Sequence, residues 1–380
     1  MALTDISTQI QLARRPNGQP VVADFATVEV PLPPLSAGEI RVRNDYVSVD
    51  PYMRGRMDDR PSYVEPFKLN ETMTGAAIGR VVESASGDFS PGDLVLHRYG
   101  WRDVAQGAAE DFARVDEVPG LPASVHLGAL GATGMTAYVG LLAVARLRAE
   151  DVVFVSAAAG AVGSLAGQIA RLKGAARVIG SAGSDAKVAA VRDRYGYDAA
   201  FNYRRAPVLE QLRAAAPAGI DAYFDNVGGD HLEAALATFN YGGRAAICGA
   251  ISRYDDVGAA PGPRFMENIV YRSLTLTGFL LHDYRQYRDA FVDEMAAWLR
   301  GGQVVFDETI VDGIRRAPDA FIGLMNGTNT GKMLVRIARA GGGPAWRPAI
   351  GPPSASLPRC VRPARARAPR WPSPLRPRSP

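Results

Sequence analysis

Cysteine is almost missing from this 380-residue chain, which holds only Cys248 and Cys360. Two cysteines cannot build a disulfide framework, so the chain suits a reducing compartment, and a cytoplasmic location is expected. No cysteine precedes Cys248, which excludes a four-cysteine structural zinc site. Histidine is scarce too, with four in all. His97 and His126 are too isolated to form a metal-ligand set, and each is read as structural. Acidic residues are absent from residues 341–380, which carry eight of the 43 basic residues. Without that tail, 35 basic residues face 39 acidic ones, so the formal charge of +4 becomes −4 for residues 1–340. A folded basic face for nucleic acid is therefore not expected. The N-terminus lacks a basic region followed by an apolar run, so no secretory signal is read there. Residues 127–145 carry no charge and approach the length of a membrane span. They hold four glycines and two threonines, and are read as buried helices; no membrane partner is expected.

What is present is ordinary for a soluble globular protein: 47% hydrophobic and 22% charged residues. The length suits two domains. The first ~125 residues read as β-rich, with short alternating segments at Glu39–Tyr46 and Ala77–Glu83 broken by Pro and Gly turns. Pro31, Pro33 and Pro34 exclude a helix around them. From Asp151 the pattern becomes strand–helix alternation, starting with the apolar Val152–Val155 and the helically spaced Val162, Leu165, Ile169 and Leu172. Strands at Arg177–Ala182, Ala199–Tyr203, Asp221–Asp225, Ala245–Gly249 and Leu274–Gly278 follow. Helices are read at Asp185–Arg194, Leu209–Ala216, His231–Phe239 and Tyr284–Arg300. This is the pattern of an α/β, doubly wound parallel sheet. Val304–Val311 and Lys332–Ile337 read as strands that rejoin the first domain. The tail, 341–380, holds eleven of the 27 prolines and is expected to be disordered.

The chemistry-bearing segment is Ala157-Ala-Ala-Gly-Ala-Val-Gly163, between an apolar strand and an amphipathic helix. It has the form of a dinucleotide fingerprint with Ala158 in place of the first glycine. Gly160 lets backbone approach a pyrophosphate, Gly163 lets the helix lie close on the strand, and Ala159, Ala161 and Val162 complete the loop. The next strand ends Ile179-Gly-Ser-Ala-Gly-Ser184, without the acid that usually binds the ribose of NAD. Asp185 is read as a helix cap. Lys187 follows it, and an absent carboxylate with a nearby cation favours the 2′-phosphate of NADP, with Ser184 and Tyr203 beside it.

Several motifs in order resemble one family. They are Val49-Asp-Pro-Tyr-Met-Arg54, Gly134-Met-Thr-Ala-Tyr138, the fingerprint, Gly167–Gly174, Phe201-Asn-Tyr203, Tyr223–Gly229, Cys248-Gly-Ala-Ile-Ser252 and Gly331-Lys332. Over roughly residues 5–338 the chain is similar to the zinc-independent medium-chain dehydrogenase/reductases of the leukotriene B4 dehydrogenase, prostaglandin reductase and alkenal double-bond reductase branch. The resemblance implies a GroES-like domain over 1–126, rejoined by 304–338, and a Rossmann domain over 127–303. It also implies NADPH as cofactor and a homodimer. It carries the 2′-phosphate role onto Lys187 and Tyr203, and places Met135, Thr136, Asn226, Cys248, Gly249, Ser252, Phe279 and Asn329 against the cofactor. The zinc-dependent relatives have a ligating histidine where this chain reads Thr74-Gly75-Ala76, so no metal is expected. Residues 58–70 and 100–112 match poorly, which leaves the substrate open.

Without a metal, the expected substrate is a carbon–carbon double bond conjugated to a carbonyl. A hydride added to the β-carbon leaves an enolate oxygen that one or two hydrogen-bond donors can stabilise. Tyr254 is the first candidate donor and Tyr52 the second; the cofactor's own ribose hydroxyl is a third. Arg54 and Arg56 read either as a surface ion-pair region or as an attractor for anionic substrates. Enone or enal reduction is the leading reading. Quinone reduction on the same scaffold, and a non-catalytic NADPH- or RNA-binding protein, are the alternatives.

Overall fold

The computed structural model describes residues 6–258 and 261–337. The expectation of disorder for 341–380 lies outside the described residues. The chain opens with β1 (Ile6–Leu12) and β2 (Phe25–Pro31), an antiparallel ribbon whose alternation across Pro and Gly turns was not read from sequence. Then come β3 (Glu39–Ser48), the short helix α1 (Tyr52–Arg56), β4 (Ala77–Ser84), β5 (Leu94–His97), β6 (Val104–Ala108) and β7 (Ala113–Arg114). Helix α2 (Ala132–Val139) leads to β8 (Val152–Val155), α3 (Gly163–Leu172), β9 (Arg177–Ala182), α4 (Asp185–Asp193), β10 (Ala199–Asn202) and α5 (Val208–Ala215). The series continues with β11 (Ile220–Asp225), α6 (Gly229–Thr238), β12 (Phe239–Ile247), α7 (Asn268–Tyr271), β13 (Thr275–Gly278) and α8 (Arg288–Arg300). It closes with β14 (Glu308–Asp312), α9 (Ala317–Met325) and β15 (Lys332–Arg336).

Two larger sheets result. Six parallel strands run β10-β9-β8-β11-β12-β13, the order of a doubly wound Rossmann sheet, with helices packed against the strands. Residues 153–155 of β8 are fully buried, as a central parallel strand requires. The second sheet runs β14-β15-β3-β4-β5-β7, with β6 pairing β3. Its strands β14 and β15 come from the far end of the chain, so the last described strand seats itself against β3 of the β-rich N-terminal domain.

Three local readings need correction. The helix expected over Tyr284–Arg300 starts only at Arg288. Tyr284 adopts φ −118°, ψ 24°, which breaks the turn, and its ring packs edge-on against Phe279 at 6.1 Å. The strand expected over Val304–Val311 is confined to Glu308–Asp312. Upstream, the Gln168 side chain brackets Val305, donating to its carbonyl and accepting from its amide, both at 2.8 Å. That backbone is therefore bonded to α3 rather than to a sheet. Finally, β12 ends at Ile247, so Cys248 and Gly249 leave the sheet and enter a loop. The uncharged stretch 127–145 folds as the eight-residue α2 and one π-helical turn over Gly140–Val144. Among the described residues no helix is long and apolar enough to cross a membrane.

Candidate functional site

One cleft of about 1700 Å³ runs past the carboxyl ends of β8, β9, β10 and β11 and between the two sheets. The fingerprint loop forms its floor. Ala157 takes φ 50°, and its carbonyl accepts from Gly160 N at 2.9 Å, which turns the chain sharply off β8. A Cβ at Gly163 would stand 2.3 Å from the Ala157 carbonyl oxygen, so only glycine lets α3 start here. Ala158 is tolerated in place of a glycine because Gly180 on β9 faces it; a Cβ at 180 would lie 2.7 Å from that of Ala158. The loop is pinned from the other side by Gly331, whose amide donates to Ala159 O at 2.8 Å. Among the described residues, the amides of Ala161 and Val162 have no backbone partner and stand ahead of α3, where a phosphate is favoured.

At one end of the cleft lie Gly183, Lys187, Tyr203 and Arg204. Lys187 Nζ donates to Gly327 O at 2.7 Å and has no carboxylate partner among the described residues. Burial first, then the charge of Arg204, pushes its amine below the usual lysine range. The Arg204 guanidinium sits 5.8 Å from the Tyr203 ring. Asp185, the first residue of α4, is bonded away to Asn202 at 2.7 Å and paired with Arg205. Two cations without an ion-pair partner among the described residues fit a phosphate on the ribose better than a bare 2′-hydroxyl. Beneath Tyr203, His231 packs edge-on at 5.2 Å, is 4% exposed, and its Nε2 has no hydrogen-bond partner among the described residues.

The middle of the cleft is shaped by the turn after β11. Asp225 is fully buried, and its Oδ1 accepts from Tyr223 Oη (2.6 Å), Val227 N (2.9 Å), Gly228 N (2.8 Å) and Ser156 Oγ (3.2 Å). This clasp presents Asn226, which donates to Ser156 O at 2.8 Å. The loop after β12 hangs from the same turn: Cys248 and Gly249 donate to Asp225 O, and Ser252 Oγ donates to Val227 O at 2.6 Å. Burial pushes the Cys248 thiol up to about 12, so it is not a thiolate. Thr136, Phe279 and Asn329 also line this stretch.

Tyr52 and Tyr254 line the other end, with Tyr63 beside them. Burial first, then Asp50, raises Tyr52 to about 12, with Arg98 and Arg56 acting the other way. Burial likewise raises Tyr254. Both hydroxyls therefore stay protonated and can donate. A Cβ at Gly75 would meet Met53 Cε at 2.6 Å and lie 3.9 Å from Tyr52 Oη, so a thioether methyl, with a phenol beside it, occupies the position where the zinc-dependent pattern has its histidine. Lys332, on β15, donates to Val49 O at 2.9 Å and pairs with Asp50 at 3.1 Å, holding the segment that leads into α1. Among the described residues no group of three or more His, Cys, Asp or Glu side chains is placed to hold a metal ion.

The cleft gathers Tyr52, Tyr254, Thr136, the 159–163 loop, Lys187, Tyr203, Asn226, Cys248, Gly249, Ser252, Phe279 and Asn329. It does not include Met135 or Ser184. Met135 is 6% exposed and turned into the core behind α2. Ser184, and not Asp185, is the N-cap of α4: its Oγ accepts from Lys187 N at 3.3 Å. Arg54 is no surface group. It is 2% exposed and bonded to Asp58, Asp255 and Gly18 O. His97 is buried against Asn44 Oδ1 at 2.7 Å, and His126 contacts Asp116 O. Three residues were missed: Arg204, Asp225 and Arg98. Only Arg204 carried a signal, as the cation directly after Tyr203.

Residues 8–115 match the family model described as the N-terminal domain of oxidoreductase, and residues 161–297 match the one described as zinc-binding dehydrogenase. The chain is 38% identical over 332 residues to the NADPH-dependent curcumin reductase of Escherichia coli (strain K12), covering 86% of this chain and 96% of that one. It is 40% identical over 324 residues to prostaglandin reductase 1 of Bos taurus, covering 84% and 95%. The crystal structure of CurA in complex with NADPH from Vibrio vulnificus superposes with a TM-score of 0.83 at 39% identity, over 87% of this chain and 99% of that one. With its fingerprint loop, its acid-free cationic end and a glycine where the metal-binding pattern has histidine, the chain belongs to the zinc-independent branch of the medium-chain dehydrogenase/reductase family.

Proposed function

We propose that the protein is an NADPH-dependent reductase of carbon–carbon double bonds conjugated to an aldehyde or ketone. The observation that carries this reading is one cleft with Lys187 and Arg204, neither of them ion-paired among the described residues, at one end and two protonated tyrosines at the other. The named activities of the curcumin and prostaglandin reductases support it. When bound, NADPH supplies a hydride to the β-carbon of the substrate. Lys187, Tyr203 and Arg204 hold the 2′-phosphate; the 159–163 loop holds the pyrophosphate; Thr136, Asn226, Cys248, Gly249, Ser252, Phe279 and Asn329 line the remainder of the cofactor's path. Tyr52 and Tyr254 donate hydrogen bonds to the carbonyl oxygen as it gains charge, and a proton then adds at the α-carbon. A conjugated olefin needs less electrophilic help than a simple ketone, and two phenols at its carbonyl oxygen match that need.

Residues 1–126 with 304–338 form the substrate-side, GroES-like half in this reading, and 127–303 the cofactor-side Rossmann half. A homodimer is supported by the unpaired edge of β13 and by Tyr241, Val270 and Tyr271, which are 81%, 79% and 73% exposed beside it. A cytoplasmic location suits Cys248, a free, half-buried thiol.

The test is NADPH oxidation with an alkenal, an aryl enone and a quinone, with product analysis. The expected products are the saturated aldehyde and ketone. Turnover of the quinone alone, or formation of an allylic alcohol, refutes the reading.

A further inference from the structure

The wall behind the phosphate end of the cleft carries a histidine that the chain leaves unsatisfied. His231 stands in the first turn of α6 and lines the cleft beside Tyr203. Its ring lies parallel to that of Phe154, with centroids 6.4 Å apart, and edge-on to that of Tyr203 at 5.2 Å. The residue is 4% exposed, yet neither ring nitrogen has a hydrogen-bond partner among the described residues. Nε2 is sealed from solvent, whereas Nδ1 is not. An unpaired nitrogen in an aromatic wall is unfavourable by about 1–3 kcal/mol, where a phenylalanine ring would carry no such penalty.

Burial depresses the imidazole to about 4, so at neutral pH it holds one N–H and one lone pair. Among aromatic rings a sealed N–H can face a π cloud, while a sealed lone pair gains nothing from one. The proton therefore belongs on Nε2, and Nδ1 keeps a lone pair on the side open to the cleft.

What meets that lone pair follows from the covalent structure of the cofactor. The 2′-phosphate and the base hang from adjacent carbons of one ribose. With the phosphate at Lys187, Tyr203 and Arg204, the base lies against the wall next to Tyr203. That wall is built by Pro207, Val208, Asp230 and His231. The Tyr203 hydroxyl lies over Gly183, 2.8 Å from where a Cβ would stand, so the tyrosine spans from the end of β9 to His231. Pro207 and Val208 offer apolar contact to the faces of the base. The exocyclic amine is the hydrogen-bond donor that adenine presents at its edge.

We propose that His231 reads the adenine: its Nδ1 accepts a hydrogen bond from the exocyclic amine, so the chain selects the base of the dinucleotide as well as its 2′-phosphate. This role rests on the NADPH reading above and adds a base-specificity residue to it.

The test compares the binding of NADPH with that of its hypoxanthine analogue, in which an oxo group replaces the amine, followed by nicotinamide fluorescence on the full-length protein. Wild-type protein should bind NADPH about tenfold more tightly, the scale of one hydrogen bond. In His231→Phe, which keeps an aromatic ring in the stack, the ratio should fall to about twofold or less, through weaker NADPH binding. His231→Asn, whose Oδ1 takes the place of Nδ1, should restore part of it. A wild-type ratio near unity overturns the assignment. So does a ratio that persists in His231→Phe, which would give the amine to Asp230. NADH, measured alongside, separates this role from the phosphate site. If the base ratio depends on His231 but NADPH and NADH bind alike, the base contact stands and the 2′-phosphate reading falls. If no dinucleotide binds, both fall.

Discussion

Arg54 Nε donates to Asp255 Oδ1 at 3.1 Å, joining residues 201 positions apart and tying α1 to the loop that carries Tyr254. The guanidinium also donates to Asp58 at 2.9 Å and to Gly18 O at 2.9 Å, with its side chain 2% exposed. Tyr52 precedes Arg54 by two residues and Tyr254 immediately precedes Asp255, so this contact sets the separation of the two phenols.

Replacing Arg54 by Met should therefore destabilise the protein by about 1–3 kcal/mol, because Asp58, Asp255 and Gly18 O, all partly buried, lose a charged donor. Urea unfolding measures this. Asp255→Asn keeps the packing and should cost less stability, while lowering kcat for an enone. A neutral effect of both substitutions on stability and turnover would show that the contact is incidental.

Lys187→Ala should raise KM for NADPH by about 10- to 100-fold and leave KM for NADH nearly unchanged, the loss of one charge-assisted contact to phosphate. Arg204→Ala should shift the NADPH/NADH preference in the same direction by a smaller factor. Initial rates with both cofactors decide it; an unchanged preference in both variants rules out the phosphate site described above.

Tyr52→Phe should lower kcat by about 10²-fold while NADPH affinity holds, the scale of losing one oxyanion donor. Tyr254→Phe should lower kcat as well, and the larger loss identifies the principal donor. Burial lifts Tyr52 to about 12. Deprotonation removes a donor, so the rise in this value keeps the donor in place at alkaline pH. Enone turnover should show no decline from Tyr52 ionisation at pH 10, where an ordinary tyrosine is about half ionised. A fall in kcat near pH 10 that disappears in Tyr52→Phe would contradict this.

Acid should destabilise the fold through two buried histidines. Burial depresses His97 to about 3 and His231 to about 4. Below pH ~6.5 the unfolded chain takes up these protons while the folded protein does not, so stability is full above that pH and declines as pH falls towards the folded values. The expected slope is up to about 1.4 kcal/mol per pH unit for each histidine. Urea midpoints at pH 7, 6 and 5 measure it, and His231→Phe should flatten the slope by about half.

Much of the architecture was readable from local pattern. The Val152–Val155 run, the glycine-bearing loop and the helical spacing of Leu165, Ile169 and Leu172 are short-range signals, and each falls where the parallel sheet requires it. Tyr284 shows where pattern stops: its residues suit a helix, yet packing on Phe279 bends the chain there. Ser184 and Asp185 show the same at the scale of one cap. Either residue type can cap a helix, and the backbone's extended conformation at Ser184 made the choice.

The sequence alone settled the strand–helix alternation, the cofactor loop and the lack of an acid after β9, because backbone preference and side-chain periodicity act over a few residues. Only the tertiary structure could bury Arg54 against Asp255 and bring Gly327 to Lys187. Those contacts join segments far apart in the chain, and their geometry depends on how the sheets close on one another. A charged side chain read in isolation looks solvated until the fold decides which partners, if any, come within reach.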